Sequence, residues 1–170
     1  MKRIITLAAV LMLAASAQAS SFWDNVQTFF DNAPTNKVDI GLYGVKDVTL
    51  GKTPQLYGLG AGLSLSYWIT PVVGAALRVD YCDSSWTATS LALSGRGAVN
   101  IGTFAKFTPY VFVGPAWNIK GPSQEFVVDA GGGGEVSFTK WPKWAFFGEF
   151  HHLTTTEPID RIEAGIHYRF

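Results

Sequence analysis

From Tyr57 to Ile69 the chain alternates without a break. Tyr57, Leu59, Ala61, Leu63, Leu65, Tyr67 and Ile69 fall on one parity, and Gly58, Gly60, Gly62, Ser64, Ser66 and Trp68 on the other. A period of two sends successive side chains to opposite faces of a strand, so one face is apolar and the other small or polar. The pattern returns with Val73, Ala75, Leu77, Val79 and Tyr81 against Gly74, Ala76, Arg78, Asp80 and Cys82. It closes the chain with Ile162, Ala164, Ile166, Tyr168 and Phe170 against Arg161, Glu163, Gly165, His167 and Arg169. Read throughout, it predicts eight strands near 37–46, 55–69, 72–82, 87–100, 106–118, 125–138, 144–154 and 159–170. Turn chemistry separates them at Thr70-Pro71, Asp83-Ser84-Ser85, Gly121-Pro122-Ser123, Trp141-Pro142-Lys143 and Glu157-Pro158. No connection needs a crossover helix, so neighbours are expected to pair antiparallel, up and down.

Two segments depart from this period. Residues 1–19 read as a secretory signal: Lys2 and Arg3, the apolar run Ile4–Ala15, then the small-residue site Ala17-Gln18-Ala19. The run is too short to cross a bilayer as a helix. Residues 20–35 form a helix and linker ahead of a 36–170 barrel domain. Phe22, Trp23, Val26, Phe29 and Phe30 share one helical face, Asp24 sits in the first turn, and Pro34 follows the end. The expectation is a short amphipathic helix on the periplasmic side, its aromatic face in the inner leaflet, with docking under the barrel or onto a partner as the rival.

Composition decides which strand face meets which medium. Of 170 residues 48% are hydrophobic, 14% aromatic and only 15% charged, so the polar faces carry too little charge to coat a soluble surface. A barrel in lipid needs the reverse arrangement, apolar outside and small or paired polar groups within. Aromatic residues sit at strand ends, where amphipathic rings favour a lipid–water boundary. Tyr57 and Tyr67 lie ten steps apart on one face, roughly 24 Å of height for a strand tilted by about 45°. Tyr81, Trp86 and Trp117 belong to one predicted girdle, and Trp68, Trp141, Trp144, Tyr168 and Phe170 to the other. Thirteen basic residues balance thirteen acidic ones, so no nucleic-acid partner is indicated, and the single Cys82 excludes a disulfide framework.

The last ten residues, Arg161 to Phe170, resemble the C-terminal signature of bacterial outer-membrane barrels, which end in phenylalanine after alternating apolar positions. With the signal segment, the resemblance points to the small eight-stranded barrels such as the OmpA membrane domain and OmpX. It implies an all-β, eight-stranded antiparallel transmembrane barrel in the envelope of a Gram-negative cell. Its partners would be outer-membrane lipids, lipopolysaccharide included, and the assembly machinery that reads the final strand, with the barrel a monomer.

Eight strands enclose a lumen just wide enough for side chains. Parity sends Arg78, Arg96, Glu135, Glu149, Arg161 and Glu163 inward, with Asp80, Asp129, His151, Tyr110 and Phe112. Buried charges must pair, so these are expected to form a network that fills the barrel. The four outer connections are short, which disfavours a dedicated binding surface. Ala130-Gly131-Gly132-Gly133-Gly134-Glu135 lacks the Lys-Ser/Thr of a phosphate loop and reads as strand. His151 and His152 point to opposite faces and no third ligand is evident, so neither a metal nor another cofactor is expected. One catalytic alternative remains. His152, Thr154 and Glu163 are loosely similar to the His-x-Ser and later Glu of PagL-type lipid A deacylases, in which a hydroxyl attacks an ester and histidine takes its proton. Thr154 stands where serine is expected, the asparagine that should follow is missing, and Glu163 has lumen parity. PagP-type palmitoyltransferases also carry an N-terminal helix, but this chain lacks their long first loop. The favoured expectation is a non-enzymatic barrel with a structural, envelope-integrity or interaction role.

Overall fold

The computed structural model describes residues 22–49, 55–82, 85–155 and 159–170; side chains at 22, 23, 49, 55–57, 85, 86 and 88–91 fall outside the description. A helix, α1 (Phe22–Asp31), precedes nine strands. They are β1 (Val38–Thr49), β2 (Gln55–Trp68), β3 (Val73–Cys82), β4 (Ser85–Arg96), β5 (Val99–Ile101), β6 (Ala105–Lys120), β7 (Ser123–Phe138), β8 (Trp141–Leu153) and β9 (Ile159–Arg169). All neighbours are antiparallel, β1 pairs with both β2 and β9, and β4 pairs with β6, which closes the ring. The result is a barrel of eight long strands, with β5 a three-residue spur on the start of β6.

The alternation is inside-out relative to a soluble barrel. Along β3 every second residue is buried, and those buried include Arg78 and Asp80 while Leu77 and Val79 face outward. Leu63 on β2 is 59% exposed whereas Arg161 on β9 is 1% exposed. An apolar exterior around a charged interior is the arrangement that lipid demands of strands. No described helix is long and apolar enough to cross a membrane.

Three expectations need correction. The predicted strand 87–100 stops at Arg96 and resumes only as β5. Between them Gly97 lies under the Phe29 ring, where a Cβ would come within 1.9 Å of it, and the Ala98 amide donates to the Phe29 carbonyl at 2.8 Å. The chain therefore leaves the barrel to receive the helix. The turn expected at 141–143 lies instead at Thr139-Lys140, and Pro142 falls in an irregular stretch opposite Ser137 and Phe138, a place where its missing donor costs no ladder bond. Trp68, expected in a girdle, is 8% exposed and points into the lumen, because it shares parity with Ser64 and Ser66 rather than with Tyr67.

Tyr67, Tyr81, Trp141, Trp144 and Phe170 are exposed, while Trp117 and Tyr168 are half-buried. Trp144, Tyr168 and Phe170 stack edge to face at 4.9 Å between successive rings. The side chains of Tyr57 and Trp86, and of Phe22 and Trp23 on α1, lie outside the described residues, as do residues 1–19 of the signal segment.

Candidate functional site

The lumen is organised in two layers. At the end where β1 starts and β9 finishes, Arg96 from β4 lies 3.6 Å over the Trp68 ring and 3.6 Å from Asp39 on β1. Trp68 Nε1 donates to the same carboxylate at 2.7 Å. Arg96 also donates to the carbonyls of Pro71 (2.9 Å) and Pro34 (2.7 Å), and Pro34 and Ala33 are buried. The linker after α1 is thus tied across the barrel foot, with Lys106 Nζ donating to the Asn32 carbonyl at 3.0 Å. Arg169 pairs with Glu135, which also accepts from His167 Nδ1 at 3.1 Å. The His167 ring stacks on Phe147 at 4.1 Å.

The second layer fills the half toward the other end. Arg78 on β3 pairs with Glu149 on β8 and lies 4.6 Å from the Phe112 ring centre. Tyr110 donates to Glu149 Oε1 at 2.5 Å. The His151 ring holds Asp129 at Nδ1 (3.0 Å), while its Nε2 lies 2.9 Å from Glu149 Oε2 and 3.3 Å from Glu163 Oε2. Arg161 spans Asp47 (2.7 Å from Nε), Asp80 and Thr87. Apart from Lys106, which is half-buried, every charged member of both layers is buried.

Glycine supplies the room. Gly133 stands opposite Glu149 and Gly131 opposite His151 in the β7–β8 register. A Cβ at Gly131 would sit 2.5 Å from Phe112 Cζ, and one at Gly133 would sit 2.3 Å from the Gly148 carbonyl. Close approach across the ladder, not a phosphate, is what this run serves.

The structure places Arg78, Arg96, Glu135, Glu149, His151, Arg161 and Glu163 together in the lumen. It adds four charged groups that the sequence reading did not single out: Asp39, Asp47, His167 and Arg169. Their signal was parity. Asp39, Tyr43 and Asp47 share the inward phase of β1, and His167 and Arg169 continue that of Arg161 and Glu163. The argument that no third ligand accompanies His151 is also corrected, since ligand atoms of Glu149, His151 and Glu163 lie within 4.8 Å of one another. The partner comes from the neighbouring strand, which spacing along one strand does not reveal.

His152, Thr154 and Glu163 are not brought together. His152 lies toward the barrel end away from α1, its side chain 45% exposed, with Nδ1 2.7 Å from Asp160. Thr154 Oγ1 accepts from the Val128 amide at 2.9 Å and donates to the Val128 carbonyl at 3.3 Å. Glu163 is inside. On α1, Val26 and Phe29 are half-buried and Phe30 is 41% exposed, its ring 5.2 Å from that of Phe29.

Residues 5–170 match the family model described as outer membrane protein beta-barrel domain. No curated protein matches the sequence. In structure the chain is similar to the N-terminal β-barrel domain of Pseudomonas aeruginosa OprF, with a TM-score of 0.58 at 18% identity, covering 80% of this chain and 98% of that one. It is also similar to a de novo designed transmembrane β-barrel (TM-score 0.51, 14% identity, 81% and 99% covered). Neisserial surface protein A gives a TM-score of 0.51 at 12% identity, with 78% and 97% covered. At these identities the likeness carries the fold alone.

Proposed function

Because the chain belongs to the outer membrane protein beta-barrel domain family, we propose that it serves as a small, closed structural barrel of the outer membrane. Its role is to contribute to envelope integrity or local interactions, without catalysis. The observation that carries this reading is the filled lumen: two layers of buried ion pairs, with Arg96 fastening the linker beneath them. A transport path needs a continuous aqueous route, and side chains occupy this one. Export through a signal cleaved after Ala19, assembly through the Phe170-terminated strand, contact with lipopolysaccharide and a monomeric state belong to the same proposal. So does α1 as a clamp at the barrel foot, with Phe30 turned toward the inner leaflet. Deleting residues 20–33 is expected to lower the temperature at which the folded band is lost on detergent gels; an unchanged temperature removes the clamp.

A second reading rests on His152. Its Nδ1 faces Asp160 at 2.7 Å at an exposed rim, the orientation that leaves Nε2 open to act as a base. Against it, the Thr154 hydroxyl is committed to the Val128 backbone. Lipid A mass spectra separate the readings. Cells expressing the wild type, a His152→Ala variant and an empty vector are expected to give identical spectra. An acyl change that disappears in the variant would replace the structural reading with a lipid A-modifying one.

A further inference from the structure

We infer that a groove between two turns at the barrel foot binds one anionic phospholipid, its phosphate on Lys140 and its acyl chains against Phe104, Phe138 and Trp141. The proposal rests on the outer-membrane reading, because only a bilayer presents phospholipid to that groove. The turn at 102–104 follows β5, and Thr139-Lys140 joins β7 to β8. The two are tied together. The Thr139 amide donates to the Phe104 carbonyl at 2.9 Å, and its hydroxyl donates to the Thr103 carbonyl at 3.0 Å. Gly102 takes a φ of 58°, the left-handed conformation that lets so short a turn reverse the chain. Held this way, the turns leave an open groove of about 440 Å³ lined by Thr103, Phe104, Phe138, Thr139, Lys140 and Trp141. That volume suits a ligand rather than a water.

The walls ask for hydrocarbon. Phe104 is 62% exposed and Trp141 61%, so the folded chain leaves both rings largely uncovered. Phe138 meets the Trp141 ring edge to face at 6.3 Å and the Phe146 ring at 6.4 Å. Phe146 is exposed on the outer face of β8, so the groove is continuous with the wall that acyl chains cover. Trp141 also brings an indole N–H, the combination of apolar ring and polar tip that settles between hydrocarbon and headgroups.

Charge selects the headgroup. Lys140 lines the groove and Lys143 follows on the next strand, both exposed, with Lys143 Nζ 5.9 Å from the Tyr168 ring centre. The segment Thr139-Lys140-Trp141-Pro142-Lys143-Trp144 holds no carboxylate. Glu135, the last acidic residue before it, is buried and paired with Arg169. A lysine at a bilayer surface favours an anionic headgroup roughly fivefold. A headgroup with an ammonium beyond its phosphate would meet Lys140 as a like charge, and the turn has no acidic side chain to receive it. Two copies of the chain joined through this face would likewise oppose lysine to lysine.

The test uses protein extracted from the membranes of expressing cells and shown to be folded by its heat-modifiable mobility. It is given equal amounts of phosphatidylglycerol and phosphatidylethanolamine with the same acyl chains, and native mass spectrometry counts the lipid retained as detergent is removed. The expected result is one phosphatidylglycerol per chain, in about fivefold excess over phosphatidylethanolamine. Lys140→Glu is expected to abolish that preference and Phe104→Ser to lower retention of both lipids. Lys120→Glu, at the far end of β6, is expected to change neither. Equal retention of the two lipids by the folded wild type overturns the proposal alone, because the groove then holds unselected boundary lipid. A preference lost in Lys120→Glu but kept in Lys140→Glu also overturns it, since the lipid would then sit at the other end. So does a lipid-free dimer that Phe104→Ser dissociates, which makes the groove a contact between copies. A wild type without heat-modifiable mobility overturns the outer-membrane reading and the proposal with it. The comparison of lipids on the wild type needs no substitution, so a variant that fails to fold does not shield the proposal.

Discussion

The two layers of the lumen solve the same problem differently. In the layer beside α1, Asp39 and Glu135 face Arg96 and Arg169, with His167 in addition, and the guanidinium of Arg96 is shared with backbone carbonyls of the linker. Charge is matched there, and the surplus donors close the barrel foot. In the layer toward the other end, five carboxylates share two arginines and His151. The first arrangement is a seal. The second has unmet demand for positive charge, and the fold holds it in place because the β7 glycines leave room for side chains that repel each other to lie side by side.

Substitutions in the two layers sharpen this contrast. The largest effect is expected from Arg161→Met, which strands Asp47 and Asp80 in the layer already short of cations. Removing one partner of a buried pair typically costs about 3–5 kcal/mol, and urea unfolding in detergent measures it. Glu135→Gln, in the matched layer, weakens charge-assisted bonds from Arg169 and His167 and is expected to cost about 1.5–3 kcal/mol. Glu163→Gln is expected to cost least, below about 1 kcal/mol, because the lost charge belongs to an oxygen without a hydrogen-bond partner in an over-acidic layer. Equal costs for Glu135→Gln and Glu163→Gln would erase the distinction between the layers.

Much of this architecture was legible in the sequence because period two is written on nearly every strand. Leu63, Leu65, Leu77 and Val79 announce the outer face, and Arg78, Asp80, Arg161 and Glu163 the inner one. Where two local signals disagreed, parity was the stronger: Trp68 carries the aromatic signature of a girdle but the phase of the lumen, and it went inside to bond Asp39. The break at Gly97 was hidden because it is set by Phe29, far away in sequence. The meeting of Glu149 with Glu163, and of His152 with Asp160, depends on the register between β8 and β9. A two-residue slip would part both pairs while leaving every side chain on its own face, so parity alone does not fix that register.

The central claim is that side chains close the lumen of this outer-membrane barrel, and electrical recording across planar bilayers tests it most directly. Purified, folded protein inserted from detergent is expected to give no steady conductance above the bare bilayer over a range of voltages. Arg96→Ala combined with deletion of residues 20–33 removes the fastening at the foot but leaves the second layer in place, and it too is expected to remain closed. A steady, ion-selective open level in the wild type would contradict the account and make the charged interior a conduction path.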